Sequence, residues 1–96
     1  MTGETSINIL FDEANQQAVA YDGDQQIGEC QYQLIEGANW AITHTGVRPE
    51  YNGRGIARLL VEEVIAQARQ RGVRIAPICS YAAHLMRHKE QYQDVL

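Results

Sequence analysis

The sequence has few cysteines, fewer basic than acidic residues, and no long hydrophobic run. Cys30 and Cys79 are its only cysteines, and they lie far apart outside any CxxC pair, which argues against a disulfide framework. Twelve acidic residues outnumber eight basic ones and leave a net charge of −4. This balance argues against a general nucleic-acid binder, because such binding depends on Lys and Arg neutralising phosphates. No apolar run reaches the length of a membrane span.

The length and composition predict one small globular domain. Of the 96 residues, 45% are hydrophobic and 21% are charged, which is typical of a folded protein, although so short a chain buries only a thin core. Residues 1–6 contain no basic segment followed by an apolar one, as a secretory leader would. We therefore predict a single domain over residues 1–96, in a cytoplasmic protein that does not associate with membranes.

Short apolar runs separated by turn residues predict five strands and two helices. The strands are predicted at residues 7–11, 18–21, 27–34, 40–47 and 73–79. Asp22-Gly23-Asp24 favours a hairpin between the second and third strands. A long helix is predicted from Ile56, and a short one over residues 81–88 with Ser80 as its N-cap. Gly46 interrupts the fourth strand, which is typical of a bulge or of a close approach to the backbone.

The long helix is amphipathic and begins directly after two glycines. Its apolar positions recur at helical spacing, and they are Ile56, Leu60, Val64 and Ala68. The first N–H groups of a helix have no partner within it, and the helix dipole places partial positive charge there, so anions bind at such ends. Gly53 and Gly55 have no Cβ, so a phosphate can approach the backbone closely. We interpret this turn as a pyrophosphate cradle.

The order of the elements predicts the topology. A strand, a helix and a second strand form a right-handed crossover, so the fourth and fifth strands should be parallel neighbours. The earlier strands follow one another through short turns and should be antiparallel. We therefore predict an α/β (α+β) fold with a mixed, mostly antiparallel five-stranded sheet in the order β-β-β-β-α-β-α.

Three segments resemble the GCN5-related N-acetyltransferases. Asn52-Gly53-Arg54-Gly55-Ile56-Ala57 is similar to that family's acetyl-CoA pyrophosphate motif, Gln/Arg-x-x-Gly-x-Gly/Ala, with Asn52 replacing its first residue. His44-Thr45-Gly46-Val47 and Pro77-Ile78-Cys79-Ser80-Tyr81 resemble segments of the minimal, single-domain YjdJ-like branch. Many relatives have an acidic residue at the position of Gly46. The resemblance covers residues 40–92.

This resemblance implies an acyl-CoA N-acyltransferase fold without the first two helices of larger members, with acetyl-CoA as co-substrate. In the family, the pantetheine arm lies between the fourth and fifth strands, and the thioester carbonyl accepts a hydrogen bond from a backbone N–H that maps near Val47. The cofactor-binding residues it implies are Val47, Arg48, Asn52, Gly53, Arg54, Gly55, Ile56 and Ala57. Because the missing helices leave the acceptor side open, we expect a bulky acceptor or a second subunit, in a homodimer, to cover it.

Transfer to an amine requires a base, because an alkylammonium has a pKa of about 10 and only the neutral amine attacks. His44 and Cys79 are candidates at strand ends, and Tyr81 is a candidate proton donor to the leaving thiolate. Cys79 is also a candidate nucleophile that takes the acetyl group itself. Structural roles compete with these, since His44 could be a hydrogen-bonded strand residue and Cys79 a packing residue.

The implied function is N-acetylation of a small amine or of an exposed peptide or protein amine. The alternative is a CoA-binding module without efficient catalysis, which the departures at Gly46 and Asn52 favour. Candidate ligands for a metal site are Cys79, His84 and His88. These residues lack the paired spacing of structural zinc sites, so we predict no metal. A dinucleotide site is disfavoured because only two of the three fingerprint glycines are present.

Overall fold

The computed structural model describes residues 6–96, which form a five-stranded sheet covered on one face by helices. The strands are β1 (Ile7–Asp12), β2 (Gln17–Asp22), β3 (Gln25–Ile35), β4 (Asn39–Val47) and β5 (Ile75–Pro77). The α-helices are α1 (Ile56–Arg71) and α2 (Ser80–Arg87), and short 3-10 turns occur at Glu13–Asn15, Glu36–Ala38, Pro49–Tyr51 and Glu90–Val95. The predictions that concern residues 1–5, the absence of a leader and the start of the domain, lie outside the described residues.

The sheet has the strand order β1-β2-β3-β4-β5, and its topology confirms the predicted fold class. The first four strands pair antiparallel, and β4 pairs with β5 in parallel through the crossover helix α1. Only the three-residue turn Glu13–Asn15 connects β1 to β2. The chain therefore lacks helices between its first two strands, as expected.

The core lies between the sheet and α1. A Cβ added at Gly28 would lie 3.2 Å from the Leu60 side chain, so even-numbered residues of this part of β3 face the helix and Glu29 faces away. The predicted apolar stripe of α1 is buried as expected, and its members are Ile56, Leu60, Val61, Val64, Ile65 and Ala68. Because α1 covers one face only, the opposite face of the sheet carries partly exposed side chains such as Leu10, Ile35 and His44.

Two local predictions were wrong, and both concern the segment after α1. The fifth strand is shorter than predicted because the Ile42 carbonyl accepts both the Ile78 and the Cys79 N–H groups, at 3.0 and 2.9 Å, and this turns the chain away from β4. The N-cap of α2 is Cys79 rather than Ser80, since the Cys79 Sγ accepts the Ala82 N–H at 3.3 Å. Of the two readings of Gly46, the structure supports a close approach, because an added Cβ would lie 3.0 and 3.1 Å from the His44 and Glu29 side chains. The bulge of β4 lies at Thr43 instead, which has no register partner on β3.

Residues of the C-terminal 3-10 turn pack against α1 and form hydrogen bonds with it. Tyr92 and Val95 are buried, and the Tyr92 hydroxyl donates to the Glu62 Oε2 at 2.6 Å. Arg69 of α1 donates to both carboxylate oxygens of Asp94, at 2.8 and 2.9 Å. This hydrogen bond from Tyr92 is the largest cause that holds the pKa of Glu62 below its usual 4.5.

We expect Tyr92→Phe to lower the free energy of unfolding by about 1–2 kcal/mol at pH 7, because it removes one hydrogen bond to a carboxylate while the ring stays packed. A carboxyl whose pKa is lowered by folding stabilises the protein above its unfolded pKa and loses that contribution as the pH falls. The difference between the two proteins, measured by urea unfolding, should therefore shrink below about pH 4.5. Tyr21→Phe is the control, since no hydrogen bond of the Tyr21 hydroxyl occurs within residues 6–96. An equal loss in both variants would contradict the assignment.

Candidate functional site

The parallel strands β4 and β5 part after three residue pairs. Trp40, Ala41 and Ile42 pair with Ile75, Ala76 and Pro77, and no pair follows within residues 6–96. Beyond this point β4 continues to Val47 along β3 alone. The side of β4 that would face a longer β5 is therefore left as a gap in the sheet.

Backbone N–H groups of β4 face this gap. The Arg48 N–H donates to the Ile27 carbonyl at 2.9 Å, and from this bond the alternation of an antiparallel ladder directs the Gly46 and His44 groups toward β3. The same alternation directs the N–H groups of Thr45 and Val47 away from β3. The bulge at Thr43 inserts one extra residue between the part of β4 that bonds β5 and the part that borders the gap. It therefore determines which N–H groups of β4 face the gap.

A cleft of about 460 Å³ lies between the end of β4 and the start of α1. Its lining comes from the strand end, the glycine turn, the first turn of α1 and α2, and consists of Thr45, Gly46, Val47, Tyr51, Asn52, Gly53, Gly55, Ile56, Ala57 and Tyr81. Gly53 and Gly55 have φ angles of +81° and +77°, and a Cβ added at either would meet nothing within 4 Å. The turn thus has the left-handed backbone that favours glycine, and the space beside it is open.

Most of the predicted cofactor-binding residues line this cleft, namely Val47, Asn52, Gly53, Gly55, Ile56 and Ala57. Two do not. Arg48 lines a neighbouring groove, and the Arg54 guanidinium lies 5.2 Å from the centroid of the Tyr51 ring. Both arginines lie in the segment that connects β4 to α1.

Tyr51 anchors the glycine turn to the sheet, and sequence reasoning missed it. Its hydroxyl donates to the Asp22 Oδ2 at 2.5 Å, and this bond to a carboxylate is the largest cause that raises the pKa of Tyr51. The partners are 29 positions apart, and no local pattern joins a hairpin aspartate to a tyrosine after the fourth strand. The bond holds the turn at a fixed distance from the β2–β3 hairpin.

Thr45 connects the two cysteines at the gap. Its Oγ1 lies 3.4 Å from the Cys79 Sγ and donates to the Cys30 Sγ at 3.6 Å. Cys30 is fully buried, and burial raises the pKa of its thiol to about 12, so it stays protonated. Cys79 is half-buried at the start of α2, where its sulfur also accepts the Ala82 N–H. Cys79 is therefore the more accessible of the two cysteines.

Tyr81 and His44 lie on different sides of the strand end. Tyr81 lines the cleft, and burial raises the pKa of its phenol, which keeps it in the proton-donating form at neutral pH. His44 precedes Thr45 in the strand, so its side chain emerges on the opposite, helix-free face. There its Nε2 lies 2.9 Å from the Glu29 Oε2. The structure therefore places Tyr81 in the lining of the cleft and Cys79 against Thr45, which lines it. It pairs His44 with Glu29, a residue that sequence reasoning missed.

In the part of the chain that the structure describes, no three side chains of metal-binding type come together. Cys79, His84 and His88 share a stretch of sequence but do not form such a group. Among the same residues, no helix is both long and apolar enough to cross a membrane.

Two comparisons with known proteins find that the chain is similar to N-acetyltransferases. The model of the GCN5-related N-acetyltransferase family matches residues 16–95 of the chain. The chain is also similar to the NMR solution structure of a GCN5-like candidate N-acetyltransferase from Staphylococcus aureus, with 29% identity and a TM-score of 0.73. That likeness covers 92% of this chain and 85% of the other. No curated protein sequence matches the chain.

We expect the two cysteines to differ in reactivity toward an aromatic disulfide reagent near pH 8. Cys79 should react within minutes in the native protein, whereas Cys30 should react only after unfolding, because burial keeps it protonated and inaccessible. The absorbance of the aromatic thiolate released from the reagent gives the number of cysteines that have reacted. Cys79→Ala should remove the fast phase and Cys30→Ala should retain it. A fast phase that survives in Cys79→Ala would contradict the assignment.

Proposed function

The chain belongs to the GCN5-related N-acetyltransferase family, and we propose that it transfers acetyl groups from acetyl-CoA to a primary amine on a small molecule, a peptide or a protein. The family and the structural neighbour support an acyltransferase. The single observation that carries the acetyl-CoA assignment is the cleft that joins the glycine turn to the gap between β4 and β5. The cytoplasmic location stays a prediction.

The two ends of the cleft suit the two ends of the co-substrate. At the glycine turn, the unpaired N–H groups of α1 and its dipole favour the diphosphate, and the missing Cβ atoms of Gly53 and Gly55 leave room for it. At the other end, the parted strands leave an opening beside the outward N–H groups of Thr45 and Val47. A pantetheine arm laid along this opening pairs with strand backbone that has lost its neighbour.

The Val47 N–H supplies the electrostatic part of the proposed reaction. A fixed backbone dipole beside the thioester oxygen stabilises the negative charge that develops there during attack, at no cost of reorganisation. The amine nitrogen bonds to the acetyl carbon and the carbon–sulfur bond breaks. Tyr81 lies in the cleft, where its phenol can donate a proton to the departing thiolate.

Two routes fit the placement of Cys79. In the direct route the amine attacks the thioester, and Cys79 only packs at the start of α2. In the covalent route the Cys79 sulfur, which accepts the Ala82 N–H, attacks the thioester carbon and the CoA thiolate leaves; the amine then displaces the Cys79 sulfur from the acetyl carbon.

The alternative function is a CoA-binding module without efficient catalysis. One observation favours it: Gly46 contributes no side chain at the strand end where many relatives have an acid. We expect the enzyme and the module to be separated by acetyl-CoA consumption measured over a panel of primary amines. Amine-dependent turnover is expected here, and saturation with CoA without any amine-dependent turnover would favour the module instead.

We expect Cys79→Ala to separate the two routes. Direct transfer predicts turnover within about threefold of the parent protein, whereas the covalent route predicts a loss of at least a hundredfold with unchanged affinity for CoA. Acetyl-CoA consumption and calorimetric CoA binding provide the two measurements. Mass spectrometry of the parent protein after incubation with acetyl-CoA alone tests the same point, since an acetyl adduct on Cys79 requires the covalent route.

We expect Gly55→Ala to lower CoA affinity at least tenfold, because a methyl group would enter the space assigned to the diphosphate. The left-handed φ of Gly55 also makes any side chain there strained, by about 1–2 kcal/mol. Gly72→Ala is a matched control, since Gly72 caps the other end of α1 at φ +68° with nothing within 4 Å of an added Cβ. Both variants should lose similar stability, measured by thermal unfolding, but only Gly55→Ala should lose CoA binding, measured by calorimetry. Equal CoA affinity in both would contradict the cradle.

A further inference from the structure

We propose that Glu29 and His44 form the acceptor subsite and that this subsite binds a primary alkylammonium group. The inference rests on the proposed function, because it names the acceptor chemistry of that transfer. It places the acceptor on the helix-free face of the sheet, across β4 from the cleft assigned to acetyl-CoA.

The pair is held directly over the backbone of Gly46. The His44 Nε2 and the Glu29 Oε2 are 2.9 Å apart and join neighbouring strands. A Cβ added at Gly46 would lie 3.0 Å from that nitrogen and 3.1 Å from that oxygen. Glycine at this position thus makes room for a carboxylate that arrives from β3. The acidic group that many relatives carry on the fourth strand is here supplied by its neighbour.

A groove of about 330 Å³ adjoins the pair, and it is lined by Gln26, Ile27, Glu29, Gly46, Val47 and Arg48. Two of these residues, Gly46 and Val47, also line the larger cleft. Gly46 and Val47 therefore form the wall between the two cavities. The proposal requires the amine nitrogen to pass beside Gly46, which has no side chain, toward the gap that the Val47 N–H faces.

The Glu29 carboxylate is the group of the groove that can bind a cation. The Glu29 side chain is 28% exposed, and an ionised carboxylate accepts several hydrogen bonds while His44 uses one of its oxygens. Arg48 is the other charged residue in the lining, and its guanidinium lies 4.0 Å from the Glu50 carboxylate. An alkylammonium is therefore expected at Glu29, over Gly46.

The proton balance of the reaction follows from this placement. The bound ammonium gives one proton to the Glu29–His44 pair, which releases it to solvent through His44, whose side chain is 53% exposed. The neutral nitrogen then attacks the acetyl carbon, and the carbon–sulfur bond breaks. The nitrogen loses its second proton as the amide forms, and the departing thiolate gains one from Tyr81, which is reprotonated in turn, so that the products are an amide, a thiol and one released proton. Glu29 contacts the substrate in this scheme, and it also positions His44.

The test is a titration with n-butylamine, followed through the NMR resonances of the His44 ring, which are identified from their loss in His44→Gln. It is performed on the full chain with and without saturating CoA. n-Butanol, which has the same shape and no charge, is the control ligand. We expect butylammonium to shift the His44 resonances and butanol to leave them unchanged.

Glu29→Gln keeps the shape and a hydrogen bond to His44 but removes the charge, and it should weaken butylammonium binding at least tenfold. Glu36→Gln removes an equal charge from an exposed turn outside the groove and should have no effect. The proposal is overturned if butanol shifts the resonances equally, if butylammonium shifts none, or if Glu29→Gln binds as well as the parent. CoA binding, measured separately by calorimetry, separates a failure of the proposed function from a failure of the subsite. A protein that binds no CoA would contradict the proposed function, whereas normal CoA binding with a failed amine titration would contradict only the subsite.

Discussion

The parting of β4 and β5 at Ile42 is the constraint on which the rest of the site depends. One carbonyl accepts two consecutive N–H groups, and after that the chain leaves the sheet and enters α2 through Cys79. A parallel strand that ends early leaves its neighbour with backbone groups that have no partner in the sheet. The bulge at Thr43 then decides which residues present those groups. Without the bulge, the opposite set of N–H groups would border the gap.

The proposed function separates phosphate binding from chemistry along a single cleft. In this proposal the diphosphate is bound by backbone at the start of α1, and the hydrogen bond from Tyr51 to Asp22 holds that turn against the sheet. The proposed chemistry depends on side chains at the parted strands, where Tyr81 lines the cleft and Cys79 lies against Thr45. Most of the proposed contacts to the co-substrate are made by backbone groups, which suits so short a chain.

A sheet covered on one face only has a consequence for specificity. A short turn connects β1 to β2, so no helix between these strands covers the face that carries Glu29 and His44. In the proposed subsite the acceptor is therefore contacted by strand residues near Gly46. An open face of this kind suits an amine carried on a larger molecule as readily as a free one.

The sequence by itself determined the order of elements, the buried stripe of α1, the glycine turn and the parallel pairing of the last two strands. These follow from short-range physics: side-chain periodicity, turn conformations and the handedness of a crossover. Only the tertiary structure decided where β5 ends, which residue forms the bulge, and which side chains meet across strands. Glu29 and His44 are 15 positions apart, and Thr45 and Cys79 are 34 apart. Such contacts depend on strand register, and a shift of one residue would send each of these side chains to the other face of the sheet.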